Sequence, residues 1–255
     1  MNNWPKIWVL FGTYKRTVCA LNTIESLHQH LKYPNLHFHI CDDGSGTTDD
    51  GTDRWHVGVL SDAFAQWYPD VTHHEMQTPP GKFNTGQNIN QGIQTAHNSG
   101  SDIHMLVFDD WGLQRDLDIR PHVDVLDTRK DVGFCRLSYL TPGISGVCVN
   151  YHSDRMNADY IWLRCIRDWS INNPWQTDGY LVSMQPYIAH KRFFDAYGYF
   201  MQNVNPGITE TQKTGDYLSS SLGENGPQIL HHIGLSVTHA PWGHMVGRAH
   251  WYAKV

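Results

Sequence analysis

The sequence predicts an α/β protein with a mainly parallel central sheet flanked by helices. Two observations support this prediction. Short apolar runs rich in β-branched and aromatic residues alternate with segments whose apolar residues have helical spacing, as in consecutive βαβ units. The chain has 255 residues, of which 40% are hydrophobic and 17% charged, so it can bury a large core. Length allows one large domain or two small ones, and we interpret residues 1–255 as a single domain.

The first 110 residues carry the regular part of this pattern. Strands are predicted at 6–14, 36–41, 71–76 and 103–108, and helices at 17–31, 53–67 and 84–100. In the first predicted helix, Val18, Leu21 and Ile24 have the spacing of one helix face. Strands connected by helices run parallel, so their carboxyl ends share one edge of the sheet, which is where ligands bind in such folds.

The second half is less regular. Strands are predicted at 132–139, 146–151 and 160–167, and residues 183–200 should form a strand, a turn and a short amphipathic helix.

Composition and cysteine content exclude several classes of protein. No apolar run approaches the ~18 residues of a membrane span. The apolar segment before Gly12 has no small-residue cleavage site and is better interpreted as a strand than as a signal peptide. The five cysteines are odd in number and have no close pair with metal-binding spacing, so we expect reduced core residues in a cytoplasmic protein.

The net charge of −6 lies entirely in the first half. Residues 1–130 contain 10 Lys and Arg against 16 Asp and Glu, whereas residues 131–255 contain nine of each. An acidic chain without a basic tail argues against nucleic-acid binding, although a local basic groove would still permit it.

Two pairs of aspartates follow two predicted strands at the same edge of the sheet. Asp42 and Asp43 come after the strand at 36–41, and Asp109 and Asp110 come after the strand at 103–108. Either pair alone is also compatible with a simple loop. Four converging carboxylates repel each other, so a cationic or hydroxyl-rich ligand should offset them. Mg²⁺ or Mn²⁺ bridging a carboxylate to a nucleotide diphosphate meets that need.

Four motifs follow one another along the first half of the chain: FGTYKR (11–16), ICDDGS (40–45), NQGIQTA (90–96) and LVFDDW (106–111). In this order and spacing they resemble the motifs of the nucleotide-sugar-dependent glycosyltransferases of family 2. The resemblance implies a Rossmann-like A-type glycosyltransferase fold, with a donor half at 1–120 and an acceptor half at 121–255. It also implies transfer of a sugar from a nucleoside-diphosphate sugar, expected to be UDP-linked, with the help of a divalent metal.

The resemblance implies roles for residues of the donor half. The nucleoside pocket would be lined by Thr13, Tyr14 and Arg16. Asp43 would bind base or ribose with Asp42 beside it, and Asp109 would face the ribose. Asp110 would bind the metal, although VFDDW lacks a full Asp-X-Asp motif. Asn90 either contacts the donor or lies on the helix surface.

The same resemblance implies a catalytic base in ITETQKTGDYLSSSL (208–222), where Glu210 is the leading candidate and Asp216 the alternative. Such a carboxylate would take the acceptor proton as the hydroxyl attacks the anomeric carbon. Either residue is also compatible with a carboxylate at a helix N-terminus.

A histidine-rich tail begins with HHIG at 231–234. It resembles the C-terminal metal and diphosphate segment of some other A-type transferases, which would place His231 or His232 on the metal. Chance clustering among the 17 histidines of the chain is the alternative.

The sequence does not identify a single acceptor. Tryptophans and tyrosines crowd the second half, and their faces stack on sugars as well as on unpaired bases. A glycan, a protein, a small molecule or DNA carrying hydroxymethylated pyrimidines are the candidate acceptors. A different class is a non-catalytic protein that binds sugar or nucleotide on the same scaffold, which the incomplete Asp-X-Asp motif permits.

Overall fold

The computed structural model of the chain describes residues 4–77, 84–137, 151–155, 160–165, 182, 184–204, 208–209, 228–232 and 242–244. In the first half the elements are β1 (Ile7–Thr13), α1 (Thr17–His30), β2 (Leu31–Lys32), β3 (Leu36–Asp42), α2 (His56–Ala65), β4 (Val71–Glu75), α3 (Thr85–Asn98), β5 (Ile103–Phe108), β6 (Trp111–Leu113) and β7 (Leu117–Asp118).

The second half continues with α4 (Arg120–Thr128), β8 (Val132–Arg136), β9 (Tyr151–Arg155), β10 (Tyr160–Cys165), β11 (Tyr187–His190), α5 (Lys191–Tyr197), β12 (Gln228–His232) and β13 (Trp242–His244).

Nine of these strands form one sheet in the order β4-β3-β1-β5-β11-β8-β12-β10-β9. The first four are parallel neighbours, as expected for strands connected by α1, α2 and α3. β11 is antiparallel to both of its neighbours, and so is β10, whereas β12 is parallel to β8. Seven of the nine strands therefore point the same way, which confirms a mainly parallel sheet.

Five strands of this sheet, β1, β3, β5, β8 and β11, are almost entirely buried, so this part of the sheet is covered on both faces and the fold has three layers there. On one face, Val9, Phe11 and Ile40 pack in a core with residues of α1, α2 and α4. On the other, Trp8 and Leu10 pack with residues of α3 and α5. This alternation along β1 explains its nearly continuous apolar sequence, since each successive side chain enters a different core.

Two short sheets extend this framework. β2 pairs with β7, and β13 pairs antiparallel with β6, so that Trp242 lies opposite Leu113 and His244 opposite Trp111. The second pairing brings the backbone of the histidine-rich tail next to the residues that follow Asp110. Among the described helices, none has the length and apolar content needed to cross a membrane.

Most element boundaries lie close to those predicted. The helix predicted at 53–67 begins later, at His56, because Asp53 has a positive φ of 53° and Thr47 forms a β-bridge with Trp55. The predicted strand 132–139 ends at Arg136. Helix α4 was not predicted, and most of the predicted strand 146–151 lies outside the described residues.

Candidate active site

The ends of β1, β3 and β5 form one edge where the candidate residues meet. The backbone N–H of Asp43 donates to the carbonyl of Thr13 at 2.9 Å, and the N–H of Asp109 donates to the carbonyl of Gly12 at 2.9 Å. These two hydrogen bonds continue the parallel ladders one step beyond the strands. The structure thus brings both aspartate pairs to the same edge, with the β1–α1 loop between them.

Asp109 is one of two fully buried carboxylates of this edge, with Asp42. Its side chain is 0% exposed, and Oδ2 accepts hydrogen bonds from the Thr13 hydroxyl (2.9 Å) and the Tyr14 backbone N–H (3.2 Å). Oδ1 lies 2.5 Å from Nη2 of Arg16. Burial raises the pKa of Asp109 to about 7, while Arg16 acts in the opposite direction and the neighbouring Asp110 adds to the rise.

Arg16 joins the two adjacent carboxylates. Its Nη1 donates to Oδ2 of Asp110 at 2.7 Å, while Nη2 pairs with Asp109. The Asp110 side chain is 15% exposed, so it is more open to a ligand than Asp109. Arg16 adopts a left-handed φ of 55°, and Asp49 accepts hydrogen bonds from the backbone N–H groups of Arg16 and Thr17, both at 2.7 Å.

The two residues of the other pair, Asp42 and Asp43, differ in burial and in their hydrogen-bond partners. Asp42 is fully buried, and its oxygens accept hydrogen bonds from the N–H groups of Gly44 (3.0 Å) and Ser45 (2.7 Å) and from the Ser45 hydroxyl. These contacts fold the loop after β3. Asp43 is half-buried and accepts a hydrogen bond from the Thr85 hydroxyl at 3.2 Å. Asp43 is therefore the member of this pair with the more open carboxylate.

Tyr14 and Asn90 have contrasting positions. Tyr14 is 47% exposed at the end of β1, where its ring is open to a ligand. Asn90 is buried in α3, and its amide makes two hydrogen bonds to the backbone of Phe200, at 2.8 and 3.0 Å. Asn90 therefore connects α3 to the segment after α5.

Sequence reasoning missed His56 and Asp49. His56 is buried at the first turn of α2, with Nε2 3.0 Å from the Thr13 hydroxyl and Nδ1 3.0 Å from the Thr17 hydroxyl. Burial lowers its pKa, and Asp42 partly offsets that effect. A single histidine among 17 carries no sequence signal, but Asp49 belongs to the DDGSGTTDD segment that contains Asp42 and Asp43.

Other predicted site residues lie elsewhere in the chain. Glu210 and Asp216 lie outside the described residues. His231 and His232 belong to β12, which β8 and β11 separate from β5. By contrast, His244 of β13 lies opposite Trp111, the residue that follows Asp110.

A divalent cation fits the chemistry of this edge. Asp110 offers a partly exposed carboxylate, the type of oxygen ligand that Mg²⁺ and Mn²⁺ prefer. The guanidinium of Arg16 already occupies the position next to it, which shows that the edge attracts positive charge. Tyr14 and Asp43 lie at the same edge and offer groups that could contact a nucleoside, whereas the buried Thr13 uses its hydroxyl to bond Asp109 and His56.

Comparison with known proteins gives a fold but no sequence family. No protein-family model matches the chain, and no curated protein matches it. A 1–349 fragment of S. aureus TarS, solved in complex with UDP, superposes with a TM-score of 0.54 at 14% identity, covering 89% of this chain and 60% of the fragment. The catalytic domain of Drosophila β1,4-galactosyltransferase 7, solved with xylobiose, has a TM-score of 0.51 at 11% identity, covering 97% of this chain and 73% of the domain.

The chain has the A-type glycosyltransferase fold. This confirms the fold that the four motifs predicted. A mycobacterial protein also superposes, with a TM-score of 0.51 at 13% identity, covering 89% of this chain and 65% of that protein. The A-type fold explains why β1, β3 and β5 present their polar residues at one edge of the sheet.

Proposed function

We propose that the protein is a glycosyltransferase that moves a sugar from a UDP-sugar to an acceptor hydroxyl with the help of a divalent metal. The observation that carries this proposal is the meeting of Asp43, Asp109 and Asp110 around the β1–α1 loop, on a fold shared with a protein solved in complex with UDP. Tyr14 and Asp43 would contact the nucleoside. Asp109 would hold the β1–α1 loop in place behind the nucleoside, because its carboxylate is fully buried and bonded to Thr13, Tyr14 and Arg16.

Asp110 is proposed as the metal ligand from the protein. The bound cation would neutralise the diphosphate and stabilise it as a leaving group. In its absence, Arg16 balances the charge of Asp110 at 2.7 Å, and rotation of that long side chain would open the carboxylate. His231 and His232 remain the proposed histidine ligands, although β12 is separated from β5 by β8 and β11.

Glu210 is the proposed catalytic base because of the residue that precedes it. Thr209 is fully buried, and its hydroxyl donates to the carbonyl of Met201 at 3.2 Å. Its methyl group lies 3.3 Å from the position that a Cβ on Gly86 would take, in the first turn of α3. Thr85, the residue before Gly86, donates a hydrogen bond to Asp43. Thr209 is therefore fixed near the proposed nucleoside pocket, which supports Glu210, the residue that follows it, and Asp216 remains the alternative.

The first experiment is a thermal-shift screen of UDP, GDP, CDP, ADP and TDP with and without Mn²⁺. We expect a Mn²⁺-dependent shift with UDP, because a ligand at about 100 times its dissociation constant adds roughly 2.7 kcal/mol to the free energy of unfolding. The second step measures UDP release from UDP-sugars, first alone and then with glycans or hydroxymethylated DNA as acceptors. A transferase releases UDP, whereas a binding protein does not. No shift with any nucleotide would contradict the proposal.

Paired variants locate the metal. Asp110→Asn should abolish both turnover and the Mn²⁺-dependent part of the shift while the protein stays folded, because this rim carboxylate supports little packing. Asp116→Asn is the matched control, since Asp116 is an exposed aspartate that pairs with His30 and Lys32 away from the site. Full turnover in a folded Asp110→Asn variant would contradict the metal assignment.

A further inference from the structure

A second cluster of potential metal ligands lies below the candidate active site, between β3 and the edge strand β4. Successive residues of β3 alternate between the two faces, and Cys41 and His39 are on the face covered by α3. In register with them on β4 are His74, opposite Cys41, and Thr72, opposite His39. The ligand atoms of His39, Cys41 and His74 all lie within 4.8 Å of one another.

A directional chain of hydrogen bonds fixes the protons in this cluster. Asn88 donates through Nδ2 to the carbonyl of Cys41 at 2.9 Å, so its Oδ1 accepts from Nε2–H of His74 at 2.6 Å. Nδ1 of His74 therefore has no proton and accepts from Nε2–H of His39 at 2.8 Å. Nδ1 of His39 in turn accepts from the Thr72 hydroxyl at 2.7 Å.

The cluster is accessible from the open edge of the sheet. Its inner side is closed by α3, because Gly92 packs directly over the sulfur and a Cβ there would meet Sγ of Cys41 at 2.6 Å. The Cys41 thiol donates only a long hydrogen bond, of 3.8 Å, to the carbonyl of His39 on its own strand. Thr72 is exposed and His74 is half-buried, so an ion can enter from the open edge of the sheet.

We propose that His39, Cys41 and His74 form a second metal site, separate from the donor site, that binds a borderline divalent ion of the Zn²⁺ class. Nε2 of His39, Nδ1 of His74 and Sγ of Cys41 supply three tetrahedral positions, and a water molecule takes the fourth. Two imidazoles and a thiolate favour Zn²⁺, whereas the carboxylate of Asp110 favours Mg²⁺ or Mn²⁺. The two sites therefore select different ions.

Binding of the ion changes the distances between the ligand atoms, which lie within 4.8 Å of one another. The sulfur must lie about 3.5 Å from each nitrogen ligand of a tetrahedral Zn²⁺. Zn–N bonds of about 2.0 to 2.1 Å in tetrahedral geometry separate two nitrogen ligands by roughly 3.3 Å, so the 2.8 Å contact between His39 and His74 opens by about 0.5 Å. The Nε2 proton of His39 moves to Nδ1, which then donates to Thr72. The Cys41 thiol releases its proton to solvent as the metal–sulfur bond forms.

The surrounding residues support the bound form. The hydrogen bond from His74 to Asn88 sets the tautomer that leaves Nδ1 available for a metal, as second-shell partners do in metalloproteins. Burial lowers the pKa of His39 to about 3 and also lowers that of His74, so both imidazoles are neutral. Burial raises the pKa of the Cys41 thiol, so its proton must be displaced by the metal.

The test is a titration of the chelator-stripped full-length chain with Co²⁺, which reports its ligands through its absorption. We expect one equivalent of Co²⁺ to produce tetrahedral visible bands and a thiolate-to-cobalt charge-transfer band, both of which Zn²⁺ removes. Cys41→Ser should lose the charge-transfer band. Thr72→Val, an exposed change that removes the partner of His39, should weaken binding by about 10-fold or more.

Two controls make the assignment specific. Cys135→Ser removes another buried thiol, on β8, and should leave the charge-transfer band intact. Asp110→Asn should also leave it intact, which separates this site from the donor site. The absence of a charge-transfer band in the wild-type protein, its persistence in Cys41→Ser, or unchanged affinity in Thr72→Val would each overturn the proposal.

Discussion

A single hydroxyl group, that of Thr13, connects two buried side chains at the candidate active-site edge. It donates to Oδ2 of Asp109 at 2.9 Å and lies 3.0 Å from Nε2 of His56. Because the hydroxyl proton is used by Asp109, Nε2 of His56 must be the donor in the second contact. Nδ1 of His56 then accepts from the Thr17 hydroxyl, so His56 is neutral with its proton on Nε2.

Replacement of this hydroxyl should cost stability. We expect Thr13→Val to lower the free energy of unfolding by about 1 to 3 kcal/mol, because it leaves buried groups of Asp109 and His56 without their partner. Urea denaturation gives the value. Thr13→Ser keeps the hydroxyl and serves as the control. A Thr13→Val variant as stable as wild type would contradict the hydrogen-bond assignment.

At the residue scale, the sequence predicted where the candidate residues lie along the sheet better than it predicted the direction in which their side chains point. It placed both aspartate pairs at the strand ends, because apolar runs that stop at carboxylates mark the sheet edge. The side chains of Asp42 and Asp43 point to opposite faces of the sheet. Asp42 is buried and bonded to its own loop, whereas Asp43 is more open, and the sequence alone does not show which of the two is buried. The backbone partner of Asn90 is Phe200, 110 positions away, which no local pattern encodes.

At the element scale, α3 is held at two places by glycines that allow close approach. Gly86 in its first turn faces the Met201 carbonyl, which lies 2.1 Å from where a Cβ would be. Gly92, in the next turns, faces the Cys41 sulfur and Leu10. The first turn of α3 therefore contacts the backbone of the segment after α5. In the middle of the helix, where Gly92 has no side chain, α3 packs directly on the sheet.

A methyl group at Gly86 should separate α3 from the Met201 segment. We expect Gly86→Ala to destabilise the fold by about 1 to 3 kcal/mol through this overlap with backbone, although alanine is the better helix former. Turnover should fall as well, since the same contact positions Thr209 next to Glu210. Gln94→Ala changes an exposed residue of the same helix and should alter neither property. Equal stability of the two variants, measured by denaturation, would argue against this packing.

Elements in the first half followed from hydrophobic periodicity because each one is complete within a short stretch of sequence. The later strands pair over long distances, such as β12 with β8 and β13 with β6. Pairings of this kind depend on which earlier strand the chain comes back to, and hydrophobic periodicity does not encode which strands become neighbours. The sequence therefore predicted the parallel half of the sheet in detail and the mixed half only in outline.

At the scale of the whole molecule, buried histidines dominate the titration behaviour. Burial lowers the pKa of seven described histidines, which are His37, His39, His56, His74, His97, His104 and His190. The unfolded chain takes up these protons below about pH 6.5, whereas the folded chain does so only at lower pH. Asp42 and Asp109 have raised pKa values and act in the opposite sense, but they are fewer.

The protein should lose stability as the pH falls below about 6.5. Stability is present above the unfolded pKa of these histidines and is lost as the pH approaches their lower folded values, since the unfolded state then binds more protons. Urea unfolding at pH 7 and pH 5 measures the loss. His104→Phe should reduce it, because the His104 ring is fully buried among Tyr187, Phe194 and His97 and makes no hydrogen bond in the structure.

Gln94→Ala is the control for this experiment. Gln94 is an exposed residue of α3 without an ionisable group, so its replacement should leave the pH dependence as in the wild-type protein. A wild-type stability that is equal at pH 5 and pH 7, or a His104→Phe variant with the same loss as wild type, would contradict the assignment of neutral buried histidines.

The pairing of β6 with β13 has a consequence for how the protein is made. Trp111 and His244 face each other but lie far apart in sequence, and a ribosome adds about 5 to 20 residues per second, so the partner of β6 is synthesised roughly 10 seconds later. The parallel strands β1, β3, β4 and β5 can assemble in that interval. The backbone next to Asp110 therefore stays unpaired during that interval, and this part of the proposed nucleotide pocket forms only after nearly every other described strand has left the ribosome.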